Sequence, residues 1–173
     1  MTDAEFWSLI DMSRARSRGS RKRQEQILRR LQRGLSADDL AEFSVRYDNL
    51  IRKAYHWDLW AAAFIIQRGC SDDGFWDFRG WLVSRGKKVY DAAVRDPESL
   101  RRVVRGRPRD SLNFLDYSSF VWEEKTGLPS CKCPGLGSNL GEEPAGEDWD
   151  EWDLPQRLPK LWKRFGWKLQ KKK

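Results

Sequence analysis

Apolar residues recur at steps of three and four along most of this sequence, which is the spacing of one face of an α-helix. The pattern is clearest over residues 40–54, where Ser36 and Asp39 supply the capping residues of a helix start. A second stripe begins at Trp57 and ends at Gly69. No useful length of chain alternates apolar and polar residues as a half-buried strand does. The sequence therefore predicts an all-α protein, a compact multi-helix domain that resembles a bundle.

Capping residues and glycines mark where further helices start and stop. Thr2 and Glu5 have capping-box spacing, and Ser20 and Ser71 each precede a helical stripe. The break near His56 is not fixed by the pattern. Together these signals predict helices at 3–16, 20–33, 36–54, 57–69, 71–85, 87–95, 97–104, 110–127 and 154–165.

Composition divides the chain into three parts. Residues 1–127 form the predicted helical domain. Residues 128–153 are rich in Pro and Gly and carry seven acids and no base between Glu142 and Asp153, so we expect an irregular acidic arm that wraps the surface. Residues 154–173 predict a short basic helix that docks on the same domain and ends in a frayed lysine tail. A length of 173 residues fits one domain with a buried core.

Charge, cysteine content and hydropathy favour a cytoplasmic location. The start of the chain is acidic and amphipathic, unlike the basic and apolar start of a signal peptide. Three cysteines, an odd number, fit a reducing compartment better than a disulfide framework. The longest apolar run, residues 59–66, falls well short of the roughly 20 residues that span a bilayer. We therefore expect no membrane association.

The middle of the chain contains three distinctive short motifs: WDLW at 57–60, CSDDGF at 70–75 and FRGWL at 78–82. In these motifs the chain resembles the bacterial domain-of-unknown-function family 4240. The resemblance begins at residues 6–11, runs to residues 124–127 and returns at residues 161–166. It implies a compact, mostly helical domain in bacterial cytoplasmic proteins. It brings no activity, cofactor or catalytic residue with it.

The start of the predicted helix at residue 71 is the candidate catalytic site. Cys70, Asp72 and Asp73 place a nucleophile and acid–base groups together there, and Arg79 adds an anion-binding group. His56 is the sole histidine of the chain and the one base available for a Cys–His pair. The same serine and aspartates also form an ordinary helix cap, and cysteine is often simply buried. An enzyme of unknown class is therefore one alternative.

Zinc binding is a second alternative. Cys131 and Cys133, with Cys70 and His56, would complete a set of three sulfurs and one nitrogen. However, Cys-x-Cys is not the usual zinc-knuckle spacing, and this loop is not a feature of the family that the chain resembles. We therefore predict no cofactor.

Nucleic-acid binding is a third alternative, and it rests on charge. Arginines at 14, 16, 18, 21 and 23, the cluster at 101–109 and the terminal lysines contribute to a net charge of +7. The segment 14–33 is more basic than the resembled family. The aromatic residues do not interleave with these bases in the sequence, and no recognised nucleic-acid-binding motif occurs.

A protein-interaction or regulatory module is the main prediction. Tryptophans at 57, 60, 76 and 81 follow helical spacing, which is typical of a core but also of the wall of a binding pocket. Trp and Arg are common at the energetic centres of protein interfaces. We therefore predict a non-enzymatic module that binds an unknown protein partner through Trp57, Asp58, Trp60, Asp72, Asp73, Arg79 and Trp81.

Overall fold

A computed structural model describes residues 1–105, 114–135 and 143–168. Its α-helices are α1 (Asp3–Ser17), α2 (Arg21–Arg33), α3 (Ala37–Lys53), α4 (Trp57–Gln67), α5 (Asp72–Ser84), α6 (Lys87–Arg95), α7 (Phe114–Thr126), α8 (Leu154–Arg157) and α9 (Pro159–Phe165). Short 3-10 helices lie at Pro97–Arg102 and Ser130–Lys132. The described residues contain no β-strand, which confirms the all-α prediction. None of their helices is long and apolar enough to cross a membrane.

Serine and threonine caps start four of the helices where the sequence places them. Thr2 and Glu5 form a reciprocal capping box on α1, and Ser20, Ser36 and Ser71 each accept a hydrogen bond from the backbone N–H three residues ahead. The predicted cap at residue 110 and the lysines at 171–173 lie outside the described residues. The predicted helix at 154–165 is divided into α8 and α9, because Pro159 takes the first position of a new helix.

The main core gathers the inner faces of α1, α3, α4, α5 and α6. Its fully buried side chains include Phe6, Phe43, Ile51, Leu59 and Phe75. Three consecutive buried alanines, 61–63, bring the backbone of α4 close to its neighbours. A second, smaller cluster lies between α3 and α7. More than half of the residues of α4 and of α5 are buried, so these two helices lie deepest in the structure.

The chain after α7 returns to the helical body. Ala145 pairs its backbone with Tyr55 and Trp57 in a parallel bridge, with N–O distances of 2.9 and 3.0 Å. Further on, the buried Glu98 carboxylate accepts hydrogen bonds from the backbone N–H groups of Lys160 and Leu161 at 2.8 and 3.0 Å. These contacts hold residues 143–168, hereafter the C-terminal arm, against α4 and the first 3-10 helix.

Candidate interaction surface

Aromatic rings form a row across the starts of α4 and α5. Trp57 and Trp60 are three residues apart, which puts them on one side of α4, and their rings are nearly parallel with centroids 5.3 Å apart. The ring of Trp60 also stacks on the ring of Phe75 in α5, with a centroid distance of 5.0 Å and an interplanar angle of 12°. Phe75 is buried, whereas both tryptophans are half-buried. One end of the row therefore reaches the surface.

Arg79 lies beneath this row and is only 5% exposed. Its Nη1 donates to the carbonyl of Ile51 at 2.9 Å, in the last turn of α3, where the helix dipole favours a cation. The guanidinium also lies over the rings of Tyr55, Phe75 and Trp76, at 4.4 to 5.1 Å from their centroids. No ion pair joins Arg79 to a carboxylate of the described residues.

Burial also changes the pKa of Arg79. Desolvation lowers the pKa of its guanidinium to about 10, so the group remains protonated at neutral pH. This buried cation, satisfied by carbonyls and ring faces, joins α5 to the end of α3 and to Tyr55, which lies just before α4. Arg79 thus supports the surface from within. Trp81, which is 9% exposed and packs on Phe78, also lies below the surface.

Two carboxylates border the aromatic row. Asp72 and Asp73 occupy the exposed first turn of α5, while Ser71 provides the cap by accepting a hydrogen bond from Gly74 at 3.2 Å. The cap role therefore belongs to the serine. We call the surface formed by Trp57, Asp58, Trp60, Asp72, Asp73 and Trp76 the α4–α5 face.

The C-terminal arm covers one end of the α4–α5 face. Trp149 packs edge-on against Trp57 and donates its indole N–H to the carbonyl of Trp57 at 2.9 Å. Arg157 reaches Asp58, with a distance of 2.6 Å from Nε to Oδ1. The same guanidinium donates to the carbonyls of Glu147 and Asp148. This end of the face therefore already holds a peptide segment of the same chain.

Cys70 lies beside the face in an environment that disfavours a thiolate. Burial, with the nearby carboxylates of Asp72 and Asp77, raises the pKa of the Cys70 thiol to about 12. The Cys70 sulfur donates to the Ser71 carbonyl at 3.7 Å, and the indole N–H of Trp60 donates to the Cys70 carbonyl at 3.0 Å. His56 instead lines a small cavity of about 180 Å³ with Arg95 and Pro97, and no hydrogen bond joins it to Cys70.

The candidate zinc ligands occupy different places. Cys131 is exposed, whereas Cys133 is buried in the cluster between α3 and α7, with its sulfur 3.6 Å from the Ser44 hydroxyl. Cys70 packs against the main core. Within the described ranges, no three His, Cys, Asp or Glu side chains are grouped as a metal site.

Several residues of this region were not singled out from the sequence. Tyr55 and Phe75 form walls around Arg79, a role that no local pattern in the sequence indicates. Trp149 and Arg157 come from the arm, almost a hundred residues away from their partners. A tryptophan inside a run of acids was the one local signal that this arm docks by an aromatic anchor.

Comparison of the sequence with known proteins identifies its family. No curated protein and no solved structure matches the chain. The family described as Protein of unknown function (DUF4240) matches residues 1–124, which include α1 to α6, most of α7 and the whole α4–α5 face. The C-terminal arm lies outside the matched residues. The chain belongs to the DUF4240 family.

Proposed function

We propose that this protein is a non-enzymatic interaction module that binds a basic segment of a partner protein on the α4–α5 face. The observation that carries the proposal is the half-buried pair of parallel tryptophans, Trp57 and Trp60, whose row continues to Phe75, within one turn of the exposed carboxylates of Asp72 and Asp73 on α5. A lysine or arginine side chain suits both groups, since it pairs with a carboxylate and packs on an indole ring.

The docked arm supports this choice of ligand. Arg157 is bound by the Asp58 carboxylate and by two backbone carbonyls, next to the contact between Trp149 and Trp57. The face therefore accommodates an aromatic side chain from an irregular segment and an arginine from the end of the short helix α8. Asp72, Asp73 and Trp76 receive no such cover from the arm contacts described above. A partner would bind this open end of the α4–α5 face and compete with the C-terminal arm for the covered end.

The rigidity of the face also supports binding. The buried Arg79 fixes Tyr55, Phe75 and Trp76 around itself, so the exposed parts are held in place before a ligand arrives. Preorganised surfaces lose less conformational entropy on binding.

We also propose that the module acts in the cytoplasm, since its three cysteines are free thiols. The enzyme alternative is less well supported, because the Cys70 thiol is protonated at neutral pH. The nucleic-acid alternative concerns other helices and is taken up below.

The test is selection from a displayed library of random peptides, with binding of the recovered peptides measured by fluorescence anisotropy. We expect recovered peptides to be rich in Arg and Lys. The Asp72→Asn/Asp73→Asn variant should bind them about fivefold or more weakly, because two charge-assisted contacts are lost. The matched control is Asp38→Asn/Glu124→Gln, which removes two exposed carboxylates from α3 and α7. Equal binding by both variants, or recovery of peptides with no basic bias, would refute the proposal.

A further inference from the structure

Helix α2 presents a row of bases on the side that faces away from the core. Its buried side is Gln24, Leu28 and Gln32. The opposite side carries exposed residues at steps of three or four: Lys22, Gln26, Arg29, Arg30 and Arg33. We call these five residues the basic stripe. It runs about 16 Å along the helix, at a rise of about 1.5 Å per residue.

The charge of the stripe is largely uncompensated by the described residues. Arg29 pairs with Glu25 of the same helix at 2.5 Å. Lys22, Arg30 and Arg33 form no ion pair with any residue that the structure describes. The whole of α2 has six bases and one acid. Such a row of cations attracts a polyanion and releases the counterions of both when it binds.

An aromatic side chain from another part of the chain lies beside the stripe. The Arg29 guanidinium lies over the ring of Tyr117, 4.5 Å from its centroid, and that of Arg33 lies at 5.8 Å. These groups line an open depression of about 470 Å³ with Gln26 and Arg30. One turn along α7, Phe120 is 56% exposed. Planar groups and cations therefore alternate on a surface that is accessible to solvent.

We infer that the basic stripe and Tyr117 form a binding site for single-stranded nucleic acid. The arginines would pair with successive phosphates, and the guanidinium and phenol planes would stack on unpaired bases. Carboxylates of an acidic polypeptide would satisfy the charges, but they offer no aromatic face to Tyr117 and the guanidinium planes around it, whereas every nucleotide carries a base beside its phosphate. This site lies on α2 and α7, so the inference stands apart from the proposed protein partner of the α4–α5 face.

The experiment measures binding of a fluorescent oligo(dT) strand of about 20 nucleotides, longer than one protein domain covers, at several salt concentrations. The full chain should bind the strand, with affinity that falls steeply as salt rises. The triple variant Arg29→Gln/Arg30→Gln/Arg33→Gln should make the slope of log K, the logarithm of the association constant, against log salt less steep by about 2. Each lost phosphate contact accounts for about 0.7 of this change. Tyr117→Leu, which keeps the charge, should weaken binding about fivefold or more through lost stacking.

Two controls separate this site from general attraction to a basic protein. Lys53→Gln/Lys87→Gln/Lys88→Gln removes three exposed cations from α3 and α6 and should leave the salt slope almost unchanged. Arg29→Lys/Arg30→Lys/Arg33→Lys keeps the charges and should keep the slope. Circular dichroism confirms that each variant is folded.

Several results would overturn the inference. The first is no binding of the strand at low salt. The second is an equal loss of salt slope in the Arg29→Gln/Arg30→Gln/Arg33→Gln variant and in the Lys53→Gln/Lys87→Gln/Lys88→Gln control. The third is tighter binding of duplex DNA than of the single strand, with no effect of Tyr117→Leu. If polyglutamate of the same charge displaces the labelled strand as well as unlabelled oligo(dT) does, the basic stripe binds acidic protein segments instead.

Discussion

Arg79 shows how a single residue can be important to a binding face without lying on it. Its guanidinium is held by the carbonyls of Ile51 and Phe75 and by three aromatic rings, and it touches elements on both sides of the α4–α5 face. A buried cation is tolerated here because the end of α3 supplies partial negative charge. Its side chain therefore determines the position of the rings that a ligand would meet.

Replacing Arg79 with Met should lower the free energy of unfolding by about 2–4 kcal/mol, since it leaves the Ile51 carbonyl unsatisfied and removes the cation–π contacts. Arg79→Lys should cost less, because it restores a charge but not the planar donor group. Urea unfolding monitored by tryptophan fluorescence measures both. A Met variant as stable as the original chain would show that the buried charge contributes nothing net.

Cys70 and Tyr90 are two of the thiol and phenol groups that make stability depend on alkaline pH, beside Tyr55 and Cys133. Burial raises the pKa of the Cys70 thiol to about 12 and also raises the pKa of the Tyr90 hydroxyl, which donates to the Leu50 carbonyl. Both groups hold their protons more tightly in the folded chain, so their stabilising contribution is present below about pH 8.5 and is lost as the pH rises towards about 12. Unfolding free energies measured in urea should therefore decline from about pH 9, until deprotonation of Arg79 in the folded chain, near pH 10, begins to act in the opposite direction.

Tyr90→Phe provides the check on this decline. The variant removes one of the titrating groups, so its stability should fall less steeply with pH than that of the original chain, whatever its stability at neutral pH. A profile that stays flat through the alkaline range in the unsubstituted protein would contradict the prediction.

At the level of elements, α9 depends on a residue that precedes it by about sixty positions. The first N–H groups of a helix have no partner within it, and α9 begins with proline, without a serine or aspartate cap. The buried Glu98 supplies the missing acceptors through hydrogen bonds to Lys160 and Leu161. The start of α9 is therefore attached to the first 3-10 helix by this carboxylate, and Arg164 adds hydrogen bonds to the carbonyls of Arg101 and Val104.

Glu98→Ala should destabilise the docked state of α9 by about 1–3 kcal/mol, because two buried amides lose their acceptors. Glu98→Gln retains one acceptor oxygen and should have a smaller effect. Hydrogen exchange at the Leu161 amide reports this local opening separately from global unfolding. Unchanged protection of that amide in the Ala variant would mean that apolar packing and the hydrogen bonds of Arg164 hold α9 without Glu98.

At the level of the whole molecule, the described surface has two unlike regions. The α4–α5 face combines tryptophans with carboxylates, whereas the face of α2 and Tyr117 combines arginines with a phenol ring. The arm covers part of the first region and lies outside the residues that match the family. Its Leu154, Leu158 and Leu161 nevertheless lie in the main core, so the arm packs with the matched domain.

Arg157→Gln should loosen the arm, since three hydrogen bonds of a guanidinium are lost together. We expect exchange of the Ala145 amide to accelerate about tenfold or more, and basic peptides to bind the uncovered face more tightly. Lys163→Gln, an exposed change on α9, is the control for loss of charge. If Ala145 exchanges at the original rate, the backbone bridge holds the arm without Arg157.

The helices were predictable because their signals are local. Serine caps, glycine stops and a three-to-four residue period operate within a few residues, so the all-α class and the start of α5 at Ser71 followed from the sequence. The same local signals placed Trp57 and Trp60 on one side of a helix. The division of the chain into three parts stays a prediction.

The role of each side chain at the candidate sites depended instead on contacts between distant segments. Nothing local distinguishes an exposed arginine from Arg79, whose burial results from the packing of three helices around it. In the sequence the bases of α2 have no aromatic neighbours, yet the packing of α7 on α2 brings Tyr117 to within stacking distance of Arg29. The sequence by itself determined the helices and their apolar faces, because these depend on neighbouring residues. Only the tertiary structure decided which charges meet which rings, because those pairings depend on how whole helices pack.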